Sequence, residues 1–373
     1  MIIRAGSLVS RAQMHDLRAQ FPVLERLAYL NAGTNGPVPA RAARAVEASV
    51  RRQADEGRAG KAFFEECLAR ADALRERVAA LLGADTAELT LTGSTTDGVN
   101  AVLSALDLRP GDEILTSDEE HPGVLAPLAR ARDAHGARIR MAPFAELADA
   151  VGPGTRLVAC SHVSWQTGRV VDAPALAASG AELLLDGAQG LGAVPVDVRA
   201  LGCDYYAASG QKWLCGPNGV GYLYVRAALH EGLRAPWPGY HSLLEPGHAL
   251  ESPPKPDARR LANGFPAHHQ LEWAHAALDV LEEAGLDEVQ EHAARLAGSL
   301  AARLAELGVQ VAPRGRQPLV SFEAADPPAL VERLAADERM VLRDLPDTPY
   351  ARASVGAWTT EEELERLARA VAR

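Results

Sequence analysis

The sequence predicts an α/β fold, a mostly parallel, seven-stranded sheet covered on both faces, with a smaller α+β region toward the C-terminus. Three observations predict it. Seven short strand-like runs lie between Glu88 and Val225, most of them separated by helical segments. Alternation of that kind gives parallel strands joined by crossover helices. Residues 232–262 then break the rhythm with a stretch rich in Pro and Gly, after which long helices and short strands follow in a different order. A chain of 373 residues is long enough for one large α/β domain and a smaller one. The expected division is 28–262 for the large domain and 1–27 plus 263–373 for the small one.

The elements are read in order. A short helix over residues 11–20 ends at Phe21-Pro22, and Ala28–Asn31 reads as a short strand. It leads into Asn31–Pro39, a loop of small residues that would let a ligand approach the backbone, with Asn35 the side chain placed toward substrate. From Pro39 to Leu82 apolar residues recur at three- and four-residue spacing, which predicts helix. The predicted strands are Glu88–Thr92, Glu113–Thr116, Ala137–Met141, Arg156–Ser161, Glu182–Leu185, Asp204–Ala208 and Val220–Val225. The last two are too close together for a crossover helix, so one pair should be antiparallel. Residues 232–262, with Trp237, Tyr240 and His241, are expected to form a lid or to meet a second subunit. Helices are expected over Pro266–Ala284 and Leu286–Leu307, short strands near Val309–Ala312, Leu319–Phe322, Met340–Arg343 and Arg352–Val355, and a last helix from Thr360.

Composition narrows the function. The formal charge of −11 argues against a nucleic-acid or anionic-membrane partner. No apolar run approaches the length of about 20 residues that spans a membrane, and the N-terminus MIIRAGSLVSRAQ lacks the apolar core of a leader. The four cysteines, Cys67, Cys160, Cys203 and Cys215, are widely spaced with no CxxC pair, as expected of reduced thiols in a cytoplasmic protein without a zinc site.

In open α/β sheets ligands bind beyond the carboxyl ends of the strands, and polar residues gather there. Thr92–Thr96 follows the first strand and opens a helix; Ser94 and Thr95 with the free backbone N–H groups would suit a phosphate, or act simply as a helix cap. His121 follows the second strand and could stack on a flat ring or relay a proton. Trp165 stands in SHVSWQTG at the end of another strand, as a flat wall or as packing. The apolar run Leu183–Leu185 delivers Asp186, and a buried carboxylate needs a cationic partner such as a pyridinium N–H. Gln189 is one turn on. Lys212 sits in a turn between two strands, where partial burial would leave it a neutral amine, the form Schiff-base chemistry requires. The glycines of Gly216–Gly221 lie between strands with no helix after them, so they are not a dinucleotide fingerprint. A phosphate pocket, a ring-facing His, a carboxylate for a ring nitrogen and a turn lysine in this order match one cofactor, pyridoxal 5′-phosphate.

With DGAQ at Asp186–Gln189 and SGQKWLCGPNGVGYLYVR at Ser209–Arg226, the chain resembles the class V aminotransferase family of fold-type I PLP-dependent enzymes from about Ala28 to its end. That group includes cysteine desulfurases, selenocysteine lyases, isopenicillin N epimerase-like proteins, kynureninases and the C–S lyase of ergothioneine synthesis. The resemblance implies that Lys212 holds the cofactor as a Schiff base and that Asp186 pairs with the pyridine nitrogen. It places Gln189 at the ring oxygen, His121 on the ring, and Ser94, Thr95, Ser209 and Gln211 around the phosphate. Arg352 would take the substrate α-carboxylate, for which a guanidinium fork is suited. A homodimer with the site at its interface is implied as well. Three departures bear on the phosphate and substrate sides. Gln211 stands where cysteine desulfurases usually have a histidine, Trp165 where they often have an asparagine, and Gly264-Phe265-Pro266 where a Gly-Thr usually reaches the partner's phosphate. The chain also has no cysteine between Val309 and Arg352, where those enzymes carry a sulfur-accepting thiol. The expected activity is β-eliminating C–S cleavage of a cysteine-derived α-amino acid, with transamination or epimerisation as the alternatives and a non-catalytic scaffold as the other class.

Overall fold

The computed structural model describes residues 11–264 and 266–373. The first ten residues and Phe265, on which the readings of the leader and of the altered Gly-Thr position partly rest, lie outside them. The chain opens with α1 (Arg11–Ala19) and β1 (Ala28–Tyr29), then α2 (Ala40–Glu56) and α3 (Lys61–Leu81). The single helical stretch expected over Pro39–Leu82 is therefore two helices. They part at Gly57 and Gly60, whose φ values of 87° and 93° no helix contains.

The large sheet follows. It contains β2 (Leu89–Thr92), β3 (Glu113–Ser117), β4 (Arg138–Ala142), β5 (Thr155–Ser161), β6 (Glu182–Asp186), β7 (Tyr205–Ser209) and β8 (Gly221–Val225). Between them run α4 (Thr95–Ala105), α5 (Pro122–His135), α6 (Leu147–Ala150), α7 (Ala173–Ala177) and α8 (Val198–Leu201). The spatial order is β2-β8-β7-β6-β5-β3-β4. Strands β3 to β7 pair in parallel, whereas β8 is antiparallel to both neighbours, β7 and β2. The short β7–β8 connection thus reverses the chain once and produces two antiparallel ladders rather than one.

Alternate side chains of each strand enter different cores, as the pleat requires. Leu183, Leu185, Tyr206 and Ala208 join one apolar cluster, with helix residues such as Leu74 and Leu278. Leu184, Tyr205 and Ala207 join the other, with Val102 and Leu128. Both faces are covered, which is why these strands read as continuous apolar runs.

The chain continues through turns and short 3₁₀ segments at Pro246–His248 and Ala258–Leu261 into α9 (His268–Ala284) and α10 (Leu286–Glu306). The C-terminal part holds β9 (Leu319–Glu323), α11 (Pro327–Glu338), β10 (Met340–Val341), β11 (Arg343–Asp344), β12 (Tyr350–Ser354) and α12 (Glu361–Val371). Strands β11, β12 and β9 form an antiparallel sheet over a third core that includes Leu300, Phe322 and Leu367. Two expectations are corrected here. The stretch Met340–Arg343 is not one strand, because the chain changes partner at the buried Leu342: β10 pairs in parallel with β1, and β11 pairs with β12. Around Val309–Ala312 only an isolated bridge forms, Val311 to Phe322, and Pro313, which has no N–H to offer, follows at once.

Candidate active site

The carboxyl ends of β3, β5, β6 and β7 meet the N-terminus of α4 and the β11–β12 pair around a cavity of about 200 Å³. Ser94, Thr95, His121, Trp165, Asp186, Gln189, Ser209, Gln211, Lys212 and Arg352 all line it. Asn35 is not among the lining residues, although its neighbours Gly33 and Thr34 are. Thr96, Ala188 and Arg343 line it too and were not picked out from the sequence. Arg343 could have been found only through register: β11 sets it opposite Arg352 across the ladder.

The lysine turn is built by its backbone. Gly210 N–H donates to Val220 O (2.9 Å), Gly216 N–H to Gly210 O (2.9 Å) and Cys215 N–H to Lys212 O (3.1 Å). The loop after β1 is laid directly on it, since Gly36 N–H donates to Gln211 O at 2.7 Å. A Cβ at position 36 would lie 2.3 Å from Lys212 O and 2.8 Å from the Cys215 Sγ, so only glycine fits this approach.

Burial governs the charges. Lys212 is pushed down to about 8, first by desolvation; Asp186 opposes this, while Arg352 and Arg343 add to it. Asp186 is buried, and desolvation raises its carboxyl against the pull of Lys212. Among the described residues its carboxylate accepts one hydrogen bond, from Ala188 N–H (2.8 Å). His121 is the N-cap of α5; its Nδ1 accepts from Gly123 N–H (3.0 Å), which leaves the proton of the neutral ring on Nε2. Desolvation, then Lys212 and the two arginines, lower it to about 4. Its ring meets that of Trp165 edge-on, with centroids 5.1 Å apart.

Gln189 is pinned from both ends of its amide, donating to Gly33 O (2.8 Å) and accepting from Trp213 Nε1–H (2.9 Å). Thr95 Oγ1 and Ser209 Oγ share a hydrogen bond of 2.9 Å, while Ser94 Oγ accepts from Asp97 N–H (3.1 Å) as the cap of α4. Arg352 is fully buried. Its Nη1 donates to Trp165 O (2.7 Å), while its Nε and Nη2 have no hydrogen-bond partner. Burial and the neighbouring Arg343 lower it to about 9. Arg343 lies over the Trp165 ring, 5.7 Å from its centroid.

A lysine amine of lowered basicity, a buried carboxylate, an uncharged histidine and a guanidinium with two unpaired nitrogens thus meet in one cavity. Residues 28–367 match the family profile described as Aminotransferase class-V, and the chain belongs to that family. It is 34% identical over 307 residues to a cysteine desulfurase of Klebsiella pneumoniae (strain 342), covering 74% of this chain and 73% of that protein. A solved complex of the cystine C–S lyase C-DES with its reaction product cysteine persulfide superimposes with a TM-score of 0.88 at 30% identity, over 95% of this chain and 99% of that one. A mutant of C-DES, with glycine covalently linked to its PLP cofactor, has the same TM-score and identity over 95% of this chain and 98% of that one. The fold is that of the fold-type I PLP-dependent transferases.

Two predictions follow from this geometry. In the cofactor-free protein, amine labelling that is lost in Lys212→Ala should be half-maximal near pH 8, the value burial gives the amine. Protonation below that point protects the amine; a midpoint near the ordinary lysine value, about 10.4, would contradict the burial argument. Gly36→Ala should cost about 1–3 kcal/mol, seen as a lower urea midpoint at unchanged m-value, because the atoms it meets belong largely to the Lys212 turn.

Proposed function

We propose that this chain is a pyridoxal-5′-phosphate-dependent lyase that breaks the Cβ–S bond of a cysteine-derived α-amino acid, with a disulfide such as cystine as its substrate. The observation that carries this over a sulfur-relaying desulfurase is the state of the thiols. All four cysteines are buried and none lines the cavity. Burial raises each of them, Cys203 to about 12, Cys160 and Cys215 well up, and Cys67 as well. No thiolate is poised to accept sulfur, so the sulfur would leave as a small molecule.

The residues present fit the cofactor. Asp186 is a buried carboxylate in want of a cationic N–H, Lys212 is an amine of lowered basicity, and the N-terminus of α4 with Thr95, Ser209 and Gln211 offers donors for a phosphate. His121 would lie on the ring and Gln189 by its oxygen. Bound there, the cofactor supplies an electron sink for the carbanion left when the α-proton is removed. Lys212 Nζ takes that proton as general base. Arg352, with Nε and Nη2 free, takes the α-carboxylate bidentately. Arg343 reaches the same cavity and would take the distal carboxylate of a disulfide, and the Trp165 ring would wall the sulfur side. The C–S electron pair departs with sulfur, so cystine and water would yield pyruvate, ammonia and cysteine persulfide.

The same reading includes a cytoplasmic homodimer and the division at 28–262. The homodimer is supported by exposed Trp237, Tyr240 (58%), Leu244 and Leu250 (97%), all in the segment before α9. Such large apolar side chains would be covered by a second subunit. Trp237 and Tyr240 lie in that segment as well.

Purified protein should be yellow with PLP, and Lys212→Ala should lose the lysine-linked spectrum. Cystine should release pyruvate, and Arg343→Ala should raise KM for cystine about tenfold while leaving that for a monocarboxylate thioether-bearing substrate nearly unchanged, the loss expected for one charge-assisted contact. Conversion to the pyridoxamine form without pyruvate would instead mark an aminotransferase, and a colourless protein that takes up no PLP would overturn the assignment.

A further inference from the structure

Two adjacent carboxylates just before His121, Glu119 and Glu120, are not accounted for by the chemistry above. Glu120 is 3% exposed and accepts from Ser117 Oγ (2.5 Å), Ser161 N–H (2.9 Å) and Ser161 Oγ (2.6 Å). Glu119 accepts from Ser164 Oγ and from Thr167 Oγ1 (2.5 Å), with Arg169 Nε 3.9 Å away. Ser164 and Thr167 flank Trp165 on its two sides. Ser164 Oγ in turn accepts from the N–H groups of Gln166 (3.2 Å) and Thr167 (3.1 Å), so the turn that presents Trp165 closes on the hydroxyl Glu119 holds. On its far side the same turn is held by the C-terminal part: Arg352 bonds Trp165 O, Ser321 Oγ bonds Gln166 O, and Gly315 N–H donates to Gly168 O at 2.9 Å.

Placing two neighbouring carboxylates in a poorly hydrated corner is costly, and desolvation lifts Glu120 to about 7. Neutral side chains would suffice merely to join two strand ends. What the acids add is a stiff set of charge-assisted bonds: Glu119 holds both sides of Trp165, and Glu120, next to His121, holds the end of β5 at Ser161.

We propose that Glu119 and Glu120 are positioning residues that staple the His121 loop to the Trp165 turn, so that the two rings walling the cavity and the carbonyl that orients Arg352 are held as one piece. The staple deepens the lyase reading for its effect on turnover, but its effect on geometry stands apart from that reading.

The experiment uses the full chain. Trp165 emission is isolated in the cofactor-free protein as the difference between each variant and the same variant carrying Trp165→Phe. Steady-state pyruvate release from cystine is measured in the PLP-loaded protein. Glu119→Ala should stay folded by thermal melt, change the Trp165 emission, and raise KM about tenfold, the scale of one lost charge-assisted bond, with a smaller change in kcat because Arg352 loses its orientation while Lys212 does not. Glu119→Gln, whose one amide oxygen can still accept both hydroxyls but without the charge, should restore part of both signals. Should Glu119→Ala fail to fold, Thr167→Val and Glu119→Gln carry the same test. Unchanged Trp165 emission in folded variants would overturn the staple whether or not the protein cleaves cystine. Changed emission with no pyruvate from the wild type would leave the staple standing and remove the lyase reading.

Discussion

Withdrawal of charge from water is the constraint on which this structure depends. Asp186, Lys212 and Arg352 would each be unremarkable at a surface, where solvent would hold their ordinary ionisation. Strand β6 carries Asp186 into the interior because the residues before it are apolar and both sheet faces are covered. Once there, the carboxylate is what keeps Lys212 from falling further, and the two arginines push the other way. The lysine's basicity is therefore a balance set by three elements distant in sequence, β6, the β7–β8 turn and the β11–β12 ladder.

The same economy explains the unpaired donors. A buried polar group without a partner is rare because it forfeits its hydration, yet Arg352 leaves Nε and Nη2 unbonded beside the cavity while its third nitrogen is tied to the Trp165 carbonyl. One bond fixes the plane of the fork and the other two nitrogens remain for a ligand. The fold thus retains two buried donors that have given up hydration without a protein partner in return.

Much of this was legible in the sequence. The parallel strands showed as apolar runs because both faces of the sheet are covered, and Asp186 and Lys212 stood out because strand ends in such sheets face ligands. The reversal at β8 showed in the shortness of the connection before it. What stayed hidden depended on register or on partners across the chain. Arg343 reads as the end of an ordinary strand until β11 pairs it with Arg352. Glu119 and Glu120 read as a solvated turn until Ser161, Ser164 and Thr167 are brought to them. The break at Gly57–Gly60 interrupts a pattern that is helical on both sides, so periodicity alone ran through it. The loop Asn31–Pro39 was recognised as a close-approach segment, but it is the backbone of Gly36, not the side chain of Asn35, that makes the approach.

That loop has a consequence for how the molecule comes into being. Residues 28–36 pair with Met340 and Val341, bridge to Ser354 at Asn31, and then rest on the Lys212 turn. This segment is thereby wedged between the middle of the chain and strands that are synthesised only after the whole large sheet. Contacts of such long sequence separation form late. The large sheet can assemble while translation continues, but the cavity has no complete wall until the last strand arrives, so a nascent or truncated chain would display a folded sheet with an unfinished site.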